Sequence, residues 1–281
     1  MTPQPLWMWF VFVCDLMKVS MKSTFTFLLL VGLMLLASAC RERGLTLEDI
    51  PTAIPLDARA TEIVLTENAP PPDFGTVAFP EIDMHLPELS GWYYTVDIEF
   101  DGVFAQVDRK AYGRVQAEVW YNQIASARRV LVTTQGDLLG RDEPTQYEAV
   151  KLGPDTFLVE DGACLSNVAD QAEIAASVGA GSLVGGLNSA QASGIPKQVV
   201  NDETVWRYNV NFDQLNLPQL TLNENSKILA FNGELWVAPE RNAVIRYYMT
   251  VDVENAQVFT DMLTTALPVT GRLIVRYDVY D

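Results

Sequence analysis

The run Glu234-Leu235-Trp236-Val237-Ala238, the turn Pro239-Glu240-Arg241-Asn242 and the return run Val244-Ile245-Arg246-Tyr247-Tyr248-Met249-Thr250-Val251-Asp252-Val253 decide the fold class. Branched and aromatic side chains recur on alternate positions, the period of a pleated strand with one covered face. Arg272-Leu273-Ile274-Val275-Arg276-Tyr277-Asp278-Val279-Tyr280 repeats the pattern, so consecutive antiparallel strands are predicted. Ala256 to Leu267, between the last two strands, reads as a short helix or a loop.

The same alternation runs back toward the N-terminus. Tyr94, Val96, Ile98 and Phe100 fall on one face of a strand that Asp101-Gly102 is expected to end in a turn. Further strands are predicted at Tyr112–Tyr121, Arg129–Thr134, Tyr147–Leu152, Thr156–Glu160, Lys197–Asn211 (with a tight turn at Asn201-Asp202), Lys227–Phe231 and Gly233–Ala238. Their short, regular spacing argues for antiparallel neighbours rather than crossover helices. Asp170 to Ala192, rich in Ala, Leu and Val, reads as a soft or broken helix. Gly179, Gly181, Gly185 and Gly186 each weaken it by about 1 kcal/mol relative to Ala. The expected class is α+β: a single curved, mostly antiparallel sheet, a half-barrel, with few helices over its concave face.

Ahead of the strands, Arg41 to about Pro87 holds Pro51, Pro55, Pro70, Pro71, Pro72, Pro80 and Pro87 without a sustained period. It reads as a tether, residues 40–88, with His85 exposed in it. Met21 to Cys40, MKSTFTFLLLVGLMLLASAC, has a basic start at Lys22, an apolar run from Phe25 to Leu36, and small residues at Ala37, Ser38 and Ala39. That is a secretory signal, and the run is shorter than the roughly 20 residues of a membrane span. The cysteine after the small residues resembles a bacterial lipobox, with Ala37 where leucine is usual. Residues 1–39 are therefore expected to be removed and Cys40 to be lipidated, placing the chain outside the cytoplasm on the cell membrane. Residues 1–20 read as an over-extended start, the alternative being a longer hydrophobic signal that includes Trp7 to Cys14.

Charge narrows the partners. The chain has 19 Lys+Arg against 36 Asp+Glu. No basic patch is visible for nucleic acid, and the excess acid favours solubility. With Cys40 acylated, Cys164 is the one remaining thiol of the mature chain; it reads as a small buried hydrophobe. No nucleophile elbow, zinc-binding helix or phosphate loop is present. Gly179-Ala180-Gly181-Ser182-Leu183-Val184-Gly185 has a superficial dinucleotide-loop spacing but lacks a preceding strand. Asp155, Glu160 and Asp161 lack the spacing of a calcium loop. No catalytic residue, metal or cofactor is assigned.

Gly91–Gly102, Asn201–Asn211, Gly233–Asp252 and Gly271–Asp278 together resemble the extracytoplasmic lipid-binding lipoproteins related to LppX and LprG, and more distantly the lipoprotein carrier LolA. The resemblance covers roughly Leu89 to Asp281. It implies a curved sheet cupping an apolar cavity, helices as a lid, and carriage or shielding of acyl chains. Trp92, Tyr94, Phe100, Trp120, Trp206, Tyr208, Trp236 and Tyr247 lie on strand runs. Such rings are ordinarily core, but a sheet with too few helices to cover it leaves several to line a cleft. These eight are the candidate ligand contacts. The alternative is a structural or protein-binding lipoprotein with a closed core and no enzymatic activity.

Overall fold

The computed structural model describes residues 68–107, 109–262 and 267–280. The signal region 1–39, the lipidation candidate Cys40 and the tether as far as Glu67 lie outside the described residues.

The chain forms one open, antiparallel sheet. Its elements are β1 (Thr76–Phe79), β2 (Gly91–Phe104), β3 (Lys110–Asn122), β4 (Ala127–Gly136), β5 (Arg141–Leu152), β6 (Asp155–Glu160), β7 (Ala163–Cys164), helices α1 (Ala169–Ser177) and α2 (Ala180–Val184), β8 (Gly186–Ala192), β9 (Gln198–Val200), β10 (Glu203–Asn209), β11 (Leu215–Asn216), β12 (Leu220–Thr221), β13 (Lys227–Ala238), β14 (Ala243–Val258) and β15 (Val269–Tyr280). The strand order is β1-β8-β10-β13-β14-β15-β2-β3-β4-β5-β6-β7, with β9, β11 and β12 at its margins. Neighbours from β13 to β15 and from β2 to β7 are consecutive in sequence, as the short turns demand. The join between the two meanders is β15 on β2, with Leu273 opposite Phe100, Val275 opposite Ile98 and Tyr277 opposite Val96.

Period-two alternation sorts the two faces. Val96, Ile98, Phe100, Val115, Ala117, Val119, Tyr247, Met249, Val251, Leu273, Val275 and Tyr277 are buried on one face. The other face carries charge, with Arg114 on Asp97 at 2.8 Å, Arg246 on Asp278 at 2.6 Å and Arg272 on Asp252 at 2.6 Å. Hydrogen bonds from Arg272 hold the Asp252 carboxyl below the usual carboxylate range. Exposed pairs of this kind contribute about 0–1 kcal/mol each, so the buried face carries the stability. α1 packs on β4, β5 and β6, and α2 packs on β2 and β15. Ala176, Ala180, Leu183 and Val184 join the same core. Among the described residues no helix is long and apolar enough to cross a membrane.

Several sequence expectations need correction. Asp101-Gly102 is not a turn: β2 continues to Phe104 because Gly102 and Gly271 face each other across strands. A Cβ on Gly102 would lie 2.8 Å from the Gly271 Cα and 2.9 Å from the Phe100 ring. The glycines thus open the space in which that ring packs. The predicted helix Asp170–Ala192 is two short helices followed by β8, a strand inserted between β1 and β10. Gly186 permits this, since its Cβ would meet the Phe79 carbonyl oxygen at 2.1 Å. Lys227–Phe231 and Gly233–Ala238 are one strand, and Ala256–Val258 continues β14.

The domain also begins before Leu89. Val77, Phe79, Ile82 and Leu86 are buried, so the last part of the proline-rich segment belongs to the fold. His85 is not simply exposed: it pairs with Glu88 at 3.1 Å and meets the Phe79 ring edge-on. Cys164 is exposed on β7 rather than buried. The glycine-rich segment is explained by Asp83, whose carboxylate accepts from the Ala180 amide at 2.6 Å and the Gly181 amide at 2.8 Å. The side chain of Asp83 fills the place that an outside anion would need, and Cβ atoms on Gly179 or Gly181 would press on it.

Burial shapes the alkaline limit of stability. Tyr94, Tyr208, Tyr247 and Tyr277 are all wholly buried. Burial pushes Tyr208 up to about 12 and raises Tyr94, Tyr247 and Tyr277 well above the ordinary tyrosine value. Each phenol is held neutral in the folded state and ionises near 10 when unfolded, so stability is intact below pH 10 and falls as pH rises above it. The slope approaches about 1.4 kcal/mol per pH unit for each such tyrosine. In an absorbance titration at 295 nm, these tyrosines should ionise in one step that coincides with loss of the far-UV circular dichroism. A gradual rise with the sheet signal intact would contradict their burial.

Candidate functional site

The eight aromatic candidates do not converge on one cleft. Trp92, Tyr94 and Phe100 of β2, Tyr208 of β10 and Tyr247 of β14 are buried on the core face. Trp206 is half-buried against the same core, and its indole N–H donates to the Asn68 carbonyl at 3.0 Å. Tyr94, Phe100, Tyr208 and Tyr247 have no exposed surface at all. They fill the core side as packing.

Trp120 and Trp236 lie on the opposite face, because each sits between two core-facing neighbours on its strand: Val119 and Tyr121, Leu235 and Val237. A bulge shifts the β13–β14 register between Trp236 and Val237, where Trp236 opposes Arg246 and Val237 opposes Val244. Ile245 thereby joins Trp236, Val205 and Ala238 in a small separate cluster. The Arg207 guanidinium lies 5.8 Å from the Trp236 ring centre.

Trp120 belongs to a longer feature that the sequence reading missed. Tyr280, Tyr93, Trp120, Arg129, Val150 and Phe157 stand directly opposite one another across β15, β2, β3, β4, β5 and β6. Tyr93 stacks on Tyr280 at 5.5 Å and on Trp120 at 4.9 Å, and the Arg129 guanidinium covers the Trp120 ring at 4.6 Å. Burial and the neighbouring Glu118 carboxylate, to which its hydroxyl donates at 3.3 Å, raise the Tyr93 phenol above its ordinary value. At roughly 4.8 Å per strand this row is about 24 Å across. The signal for it was parity: Tyr93 and Trp120 are out of step with the buried positions of their strands.

At the strand ends the row borders a groove of about 630 Å³. Tyr93, Trp120, Arg129, Val150 and Leu152 line it together with Trp92, Tyr121, Ile124 and Arg128. Ile124, at the tip of the β3–β4 turn, is 94% exposed, and Leu152 is 50% exposed. Trp92 stacks between Tyr94 and Tyr121, at 5.3 and 5.2 Å. Among the described residues no aspartate or glutamate lines the groove, although the chain carries a formal net charge of -17. Its lining instead includes Arg128-Arg129, the one Arg-Arg pair of the sequence. A second groove of about 660 Å³ on the outer face is lined by Glu99, Asp101, Asp252 and Arg272; Arg272 pairs with Asp252, while Glu99 and Asp101 lie 3.8 Å from Arg114 and 3.9 Å from Lys110. The strand-end groove, concave and mainly apolar with a few polar groups, has the form of a ligand site; such sites usually occupy about 300–1,000 Å³.

The acids considered for calcium do not form a cluster. Asp155 and Glu160 are at opposite ends of β6, and the Asp161 carboxylate accepts from the Gln146 amide at 3.0 Å. No group of side chains suited to a metal ion occurs among the described residues. No protein-family model matches the chain, and no curated protein matches it.

Proposed function

We propose that this chain is a lipid-anchored extracytoplasmic binding protein that shelters the alkyl chain of a lipid or other apolar ligand in the strand-end groove. Cys40 is the proposed acyl anchor, residues 1–39 its signal, and the segment that follows its tether to the membrane. The relation to the LppX, LprG and LolA lipoproteins belongs to the same proposal, as does a half-barrel curvature with α1 and α2 over its concave side. The observation that carries the reading is the groove itself: Trp120, Tyr93, Val150, Leu152 and the exposed Ile124 line it, and its described lining holds no carboxylate. Each buried methylene contributes about 0.8 kcal/mol, so a modest alkyl chain supports reversible binding. Binding of this kind needs no catalytic residue. The complete burial of Tyr94, Phe100, Tyr208 and Tyr247 favours a second reading, a closed-core lipoprotein that binds a protein partner.

Native mass spectrometry of the full chain, purified from membranes, tests the first reading. A non-covalent lipid mass lost on organic extraction is expected. So is saturable uptake of the neutral probe diphenylhexatriene, excited by energy transfer from the tryptophans. Trp120→Ala should weaken that uptake about fivefold, the loss of one ring contact. A bare protein mass together with no uptake of the probe would rule out the groove as a ligand site and leave the closed-core reading.

A further inference from the structure

The two arginines of the groove differ in their surroundings. Arg129 is neutralised: its Nε donates to the Glu148 carboxylate at 2.6 Å, and its guanidinium lies on Trp120. Arg128 has no carboxylate within ion-pair distance among the described residues. Its Nη2 donates to the Val178 carbonyl oxygen at 2.8 Å, and its guanidinium carbon is 5.4 Å from the centre of the Trp92 ring. The Nε of Arg128 is buried and finds no acceptor among the described residues, and neither does the indole N–H of Trp92, a residue only 6% exposed.

Neighbouring groups do not supply the missing charge: the Tyr94 phenol, with which the Arg128 side chain interacts, is held neutral by burial. Across the strands, Arg128 faces Tyr121 on one side and Lys151 on the other, and Lys151 is engaged with Glu173. The carboxylate of Asp83, whose charge acts on Tyr94, is occupied by the amides of Ala180 and Gly181. An unpaired cation and two orphaned donors in a half-buried place are costly unless an acceptor-rich group completes them. We infer that Arg128, with the Trp92 indole N–H close by, makes the groove select an amphiphile with an anionic head over a neutral one of the same chain length. This rests on the groove being a binding site. The aromatic and aliphatic lining takes the alkyl chain, and the guanidinium takes a carboxylate or phosphate oxygen pair, the geometry for which arginine is suited.

The test is displacement of bound diphenylhexatriene from the full chain held in a non-ionic amphipol, with decanoate, 1-decanol and acetate as competitors. Decanoate should displace the probe at concentrations about tenfold below 1-decanol, the strength of one charge-assisted hydrogen-bonded contact. Acetate at the same concentrations should displace none, which separates an amphiphile site from a simple anion site. Arg128→Gln should abolish the preference by weakening decanoate alone, and Arg128→Lys should restore part of it. Equal displacement by decanoate and 1-decanol overturns the inference while leaving the groove reading intact, as does an Arg128→Gln loss shared equally by both. Displacement by acetate as good as by decanoate overturns it too. Absence of any probe binding removes both. The wild-type comparison stands whether or not the substituted chains fold.

Discussion

Gly185→Ala is expected to lower stability by about 4 kcal/mol or more, a loss large enough to unfold a marginal domain. Gly185 ends α2 with φ 80° and ψ -135°, a conformation that a residue with a Cβ rarely adopts. Its amide donates to the Gly181 carbonyl at 2.8 Å, and its own carbonyl accepts from the Ile82 amide at 2.9 Å. The residue therefore cannot rotate away without breaking the link between α2 and the segment after β1. A Cβ there would stand 1.8 Å from the Asn216 backbone oxygen and 2.7 Å from the Pro218 ring. Neither opponent is the tip of a flexible side chain. Gly194→Ala is the matched control: φ is 75°, but nothing lies within 4 Å of the added carbon. Its cost should be about 1 kcal/mol of backbone strain alone. Guanidinium unfolding midpoints of the two variants measure the difference. Equal midpoints would mean that the backbone around Asn216 does not close on Gly185 as described.

Tyr247→Ala carries the second large effect, about 4 kcal/mol, with Tyr247→Phe close to neutral. The ring is wholly buried in the first half of β14, opposite Leu235 on one side and Tyr277 on the other. Removing it leaves a cavity between strands that pair along their whole length and so cannot collapse inward. The hydroxyl contributes little, since its hydrogen-bond partner among the described residues is the weak acceptor sulfur of Met249 at 3.4 Å. The same pair of variants separates packing from ligand contact. As core, Tyr247→Ala loses stability and binds diphenylhexatriene as the wild type does wherever it remains folded. A Tyr247→Ala chain with unchanged unfolding midpoint and lost probe binding would reassign the ring to a ligand cavity on the core face.

The strands were readable because each has one wet and one dry face, and a period of two survives in the order of residues. Trp92 to Phe100, Tyr112 to Tyr121 and Val244 to Val253 needed no partner to declare themselves. The turn at Asn201-Asp202 was equally local: both residues take positive φ, 51° and 66°, which a short polar side chain tolerates. Gly102, Gly185 and Gly186 were misread for the opposite reason. Their role is set by which backbone lies against them, and those backbones come from positions as distant as Gly271 and Phe79. β8 was taken for helix because Ala, Leu and Ser are compatible with either state until β1 and β10 provide hydrogen-bond partners.

The candidate site divides along the same line. Sequence order alone determined that aromatic residues lie on strands, that the chain is acidic, and which side chains share a face within any one strand, because those properties are local. Only the tertiary structure decided which rings are spent on packing and which remain at the surface. It also brought Tyr280 beside Tyr93 through the β15–β2 pairing and set Arg128 beside Trp92 with no carboxylate among the described residues within ion-pair distance. Those outcomes depend on strand order and on what covers each face, and both arise from contacts between segments that have no fixed spacing along the chain.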